Sequence, residues 1–150
     1  FDAGAVHIGE NRVHEGVAKK PVVPEATWHL IGPLQRNKAS LALANFDVVH
    51  TVDRPELVDR LQMVLQRDHP GRRLQVLLEI NVGEEPQKAG ALPKGAAELL
   101  GRACGAPLRT CLSFGSAADA LVRAGHAEAI TNAEGLDVLA PFGKPVVSEV

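Results

Sequence analysis

A chain of 150 residues, 45% hydrophobic and 23% charged, has the size and composition of one ordinary globular domain with a sizeable core, which excludes an intrinsically disordered segment. A formal net charge of -2, with acidic and basic residues interspersed, leaves no electrostatic footprint for nucleic acid or an anionic membrane surface. Apolar runs fall short of the about 18 residues that span a bilayer, and the opening stretch lacks the order of a signal peptide, so a cytoplasmic protein is expected.

Residues 1–6 read as the end of a helix running into a strand, and the absence of an initiator Met leads us to expect that a beginning is missing. A helix is predicted over residues 10–20, a strand over 28–32 and a second helix over 33–45, opened by Pro33, whose missing N–H costs nothing in a first turn. A strand over 47–51 leads to a helix over 54–67, for which Asp53 is the expected N-cap, with Glu56 three residues on. In that helix Leu57, Leu61, Val64 and Leu65 share one face. The longest strand, 74–82, is apolar to Ile80 except for Gln75 and Glu79, as a parallel strand covered on both faces would be. A helix over 93–104, a strand over 108–114, a helix over 116–124 and weaker strands over 127–131 and 145–148 complete the order. Strand and helix alternate, the signature of a parallel α/β protein, in which an open doubly wound sheet and a (β/α) barrel remain equally open.

In both architectures ligands bind at the C-terminal ends of the strands, so residues following each strand are the informative ones. Residues 7–13, His-Ile-Gly-Glu-Asn-Arg-Val, place Gly and Asn before a helix start, which suits an anion, although taken alone the motif favours an ordinary capped helix. Residues 28–38 place His29 in a strand and Gln35, Asn37 and Lys38 on the opening turns of a helix, with Gly32 permitting close approach of a ligand; a core histidine is the competing reading. Residues 81–90, with two carboxylates, Lys88 and two glycines, form a polar loop hung from the longest strand, a functional edge or a solvated connection. His50 to Asp53 is a fourth polar strand end. Cys104 and Cys111 form neither a disulfide framework nor a zinc site, and no metal is expected. Dinucleotide, P-loop and nucleophile-elbow motifs are absent.

The order and spacing of these segments resemble those of the pyridoxal phosphate (PLP) homeostasis protein family, relatives of the alanine racemase N-terminal barrel. Residues 7–13 resemble the family's F-G-E-N segment, 28–38 its W-H-x-I-G-x-L-Q-x-N-K segment, 50–53 its H-S-V-D strand end, and 81–90 its V-N-x-x-x-E-x-x-K-x-G loop. The resemblance implies a TIM-barrel-like (β/α) fold, here a partial barrel, with PLP as cofactor and a role in vitamin B6 and amino-acid balance. Carried over position by position, it implies cofactor contacts at Asn11, His29, Gly32 and Asn81, with Lys88 nearby and no catalytic residue.

The similarity runs over residues 1–114, and 115–150 read as a divergent tail of the same single α/β domain. The family's imine-forming lysine lies on a strand that would precede Phe1, and its late phosphate-binding segments have no match at the right spacing. The chain is therefore expected to bind PLP poorly and to catalyse nothing. Two other readings stay open: a fragment of a racemase-like PLP enzyme, against which the absence of any Tyr weighs, and a small α/β interaction domain that has lost PLP. The exposed strand edges of an incomplete barrel would favour a homodimer.

Overall fold

Short apolar or β-branched runs form the strands at residues 27–30, 48–52 and 74–78, and each of these is followed by a segment whose apolar residues recur at helical spacing. The computed structural model describes residues 6–81, 83–103 and 107–111. Five strands, β1 (His7–Glu10), β2 (Thr27–Leu30), β3 (Val48–Val52), β4 (Leu74–Leu78) and β5 (Leu108–Cys111), alternate with four α-helices, α1 (Val13–Lys19), α2 (Ala39–Asn45), α3 (Pro55–Asp68) and α4 (Ala96–Ala103).

The strands lie in the order β1-β2-β3-β4-β5, all parallel. That order settles what periodicity left open. Parallel crossovers are right-handed, so a sheet wound in one direction places all its helices on one face, whereas a doubly wound sheet reverses and covers both. The other face is then the inner wall of a barrel. Among the described residues the sheet is a five-stranded arc with β1 and β5 at its edges, the partial TIM-barrel-like fold expected.

The two faces separate by the period-two alternation of strands. Trp28, Leu30, Val49, Leu74, Val76, Leu78 and Leu108 join the helices in one buried cluster. Helix α3 contributes Leu57, Val58, Leu61, Val64 and Leu65, all fully buried, at roughly 1.5–3 kcal/mol per side chain. The indole of Trp28 donates to the carbonyl of Val23 at 3.1 Å and meets Phe46 edge-on, with ring centroids 6.5 Å apart.

Several boundaries differ from expectation, each for a local reason. Glu10 ends β1 instead of opening a helix, because its carboxylate accepts from the N–H of Asn11 at 2.9 Å and from the Lys19 ammonium at 2.5 Å; α1 begins at Val13. Gln35 is extended, not helical, and Arg36–Lys38 form a 3-10 turn before α2 starts at Ala39. The delay carries Leu34 into the core, where its carbonyl accepts from Arg54 at 2.9 Å. Asp53 does not cap α3: Arg54 occupies that position in extended conformation, and the Asp53 carboxylate pairs with its guanidinium instead. Strand β4 ends at Leu78 and is continued only by an isolated bridge from Ile80 to Ala91. The end of the strand expected over 108–114, the helix expected over 116–124, the strands expected over 127–131 and 145–148, the proposed tail and Cys104 lie outside the described residues.

Candidate functional site

The strand ends are laced together along one edge of the sheet. The N–H of Ile31 donates to Glu10 at 3.0 Å, the hydroxyl of Thr51 donates to the carbonyl of Gly32 at 2.7 Å, and the N–H of Glu79 donates to Val52 at 2.9 Å. Asn11, Gly32 and Asn81 therefore lie on the same edge, just past β1, β2 and β4. Gly32 is there because two chains touch: a Cβ at this position would stand 2.1 Å from the carbonyl oxygen of Asn11 and 2.8 Å from its Cα. Backbone approach, expected toward a ligand, is made here toward Asn11.

Beyond β4, an open cleft of about 420 Å³ is lined by Glu79, Ile80, Asn81, Gly83, Glu85, Lys88 and Ala89. Asn81 organises the loop around it. Its side-chain amide donates to the carbonyls of Glu85 at 2.8 Å and Lys88 at 3.3 Å, while its carbonyl oxygen accepts from the N–H of Glu85 at 3.2 Å. With only 7% of its surface exposed, Asn81 satisfies its polar atoms within its own loop, as burial demands. Gly90, at φ +111°, brings the returning chain so close that a Cβ would lie 2.6 Å from the Asn81 nitrogen. The exposed Lys88 ammonium pairs with Glu85 at 2.5 Å. Burial, with the Asp53 charge nearby, pushes the Glu79 carboxyl above the usual carboxylate range.

His29 sits elsewhere, within β2 on the inner face. Its Nε2 lies 2.9 Å from Nδ1 of His7, and its Nδ1 lies 2.8 Å from Nε2 of His50. The rings succeed one another at centroid spacings of 5.1 Å, from β1 through β2 to β3. Burial, reinforced by the neighbouring imidazoles and opposed by Asp47, lowers the His29 pKa to about 4. Burial lowers that of His50 as well. The structure thus brings Asn11 against Gly32 and Asn81 beside Lys88 in one cleft, with His29 in a separate row. Among the described residues no cluster of His, Cys, Asp or Glu is arranged to hold a metal ion.

His50, Thr51 and Glu79 were not singled out as site residues, although each was visible as a polar residue interrupting a strand of otherwise apolar character. A polar side chain in such a strand is costly unless partnered, and that was the available signal.

Residues 1–139 match the model of the alanine racemase N-terminal domain family. The chain belongs to that family. Within this family it is 40% identical over 103 residues to a pyridoxal phosphate homeostasis protein of Pasteurella multocida, covering 66% of the chain and 43% of the relative. It is 38% identical over 123 residues to the protein of the same name from Vibrio alginolyticus, covering 76% of the chain and 52% of the relative. The chain thus spans about half the length of the curated relatives it matches, and the resemblance read from its four motifs is to the same proteins. Among solved structures, PipY of Synechococcus elongatus PCC7942 with PLP bound is 30% identical and superposes with a TM-score of 0.62 over 93% of this chain and 66% of PipY. Alanine racemase of Clostridium difficile 630, 13% identical with a TM-score of 0.61 over 79% of this chain and 36% of that one, shares the fold. No described helix is long and apolar enough to cross a membrane.

Proposed function

We propose that this chain is the PLP-binding part of a PLP homeostasis protein, active in vitamin B6 and amino-acid balance without a catalytic reaction of its own. The observation that carries the reading is the lacing of the strand ends, which puts Asn11, Gly32 and the Asn81 loop on the sheet edge where ligands of parallel α/β folds bind. The solved relative that holds PLP supports it.

The residues fit the cofactor as a wall of its site. The Asn11–Gly32 contact forms a rigid backbone floor, and the cleft beside Asn81 offers one ammonium, Lys88, and two carboxyls, Glu79 and Glu85. Bound PLP supplies an aldehyde that condenses with amines and a ring that withdraws electrons. This chain's part is to orient and shield it: Asn81 fixes the loop, and Lys88 lends positive charge near the phosphate. His29 lies below this floor and steadies β2 from the inner face. The same reading takes residues 1–150 as one α/β domain, working in the reducing cytoplasm and pairing as a homodimer through its strand edges. Apart from PLP it takes no nucleic acid or membrane partner.

The test is a titration of the purified chain with PLP, borohydride reduction and peptide mapping. Weak but saturable binding of PLP, without one lysine trapped stoichiometrically, is the expected result, and a Gly32→Ala variant should lose it. The absence of saturable binding overturns the reading.

A further inference from the structure

The row of imidazoles on the inner face has a chemistry of its own, set by how its nitrogens meet. His7 is exposed at the start of edge strand β1, His29 is 5% exposed, and His50 is half-buried on β3 beside Thr51, which holds the strand ends. The contacts join Nδ1 of each ring to Nε2 of the next, at 2.9 and 2.8 Å. The register offsets them along the strands: His7 pairs with Thr27, two residues before His29, and His29 pairs with Val48, two residues before His50. The row therefore climbs diagonally toward the laced strand ends.

We propose that His7, His29 and His50 form a one-proton relay that connects the exposed start of β1 with the strand-end site. A neutral imidazole carries one N–H and one acceptor nitrogen. Each contact needs a single proton between its two nitrogens, since none would set lone pair against lone pair and two would set N–H against N–H. Only two neutral arrangements meet that condition at both contacts: all three rings carry Nδ1–H, or all three carry Nε2–H.

One proton converts the first arrangement into the second. It adds at Nε2 of His7; the bonded protons shift from Nδ1 of His7 to Nε2 of His29 and from Nδ1 of His29 to Nε2 of His50; a proton then leaves from Nδ1 of His50. One enters, one departs, and no bond to a heavy atom changes. The reverse sequence carries a proton the other way. A single excess proton keeps both contacts, and a second breaks one. Burial of the middle ring and its neighbouring imidazoles disfavour holding that charge, with Asp47, before β3, as the charged group opposing them.

The experiment is 15N-histidine NMR of the full chain, reading the tautomer of each ring from long-range 1H–15N correlations across pH 4–8. The expected result is one tautomer common to all three rings and a shared titration step of one proton. Different tautomers on adjacent rings, or three independent titrations, overturn the relay. In His29→Gln, the tautomers and midpoints of His7 and His50 should become independent; if they keep the wild-type pattern, the relay is again overturned. His7→Ala, altered at the exposed end, should leave His29 and His50 matched to each other, and a mismatch there counts against the relay even where the buried variant fails to fold.

Discussion

The two faces of the sheet are held by different chemistry. Against the helices lie Trp28, Leu30, Val49, Val76 and Leu78, held by contact that is nearly non-directional. Across the same backbone the inner face carries His7, His29 and His50, linked ring to ring by hydrogen bonds that depend on angle, tautomer and proton count. The first face tolerates changes of shape at a cost in stability, whereas the second tolerates little change of chemistry. Substitutions on the two faces should therefore fail in different ways.

The largest effect is expected on the helix side. Leu61→Ala, at a fully buried position of α3, should lower unfolding free energy by about 2–5 kcal/mol in a denaturant titration, with no dependence on pH between 5 and 8. The inner face should show the opposite pattern. Because the folded-state pKa of His29 lies at about 4, below its ordinary value, the unfolded chain binds the proton first as pH falls. The contribution of His29 is then full above about pH 6.5 and declines toward pH 4 by up to roughly 3 kcal/mol; His29→Gln should remove that part of the slope and leave the part carried by His50, whose pKa burial also lowers. Denaturation midpoints measured across that range check the sign.

The strand ends sharpen the comparison, since their requirement is steric. Gly32→Ala forces a Cβ into the Asn11 backbone and should cost about 1–3 kcal/mol, read by thermal melting. Asn81→Ala removes hydrogen bonds within one loop and should cost about 1–2 kcal/mol, with faster amide exchange confined to the backbone around Glu85.

The helix-facing half of this structure was legible because its information is periodic. Leu57, Leu61, Val64 and Leu65 announce their common face in the sequence, and all four are buried. Boundaries were less legible where a side chain found a stronger partner than the helix end offered: Asp53 pairs with Arg54 instead of capping α3, and Leu34 is drawn into the core at the expense of a full helical turn. In the candidate site, the loop after β4 was visible by its composition, but the role of Asn81 within it was not, because its partners are backbone atoms and leave no trace in residue type. The histidine row was least legible. Its members stand 22 and 21 residues apart, and only the register of three strands brings them together.

The bridge between Ile80 and Ala91 gives the loop after β4 an unusual independence. The chain leaves the strand and returns to nearly the point of departure, so the rest of the sheet does not register how far it travelled in between. Doubling the length of such an excursion costs only about 0.6 kcal/mol in closure entropy. Segment 83–90 is thus a place where the family's architecture can absorb insertions and change what it presents to a ligand, while the strands on either side keep their alignment.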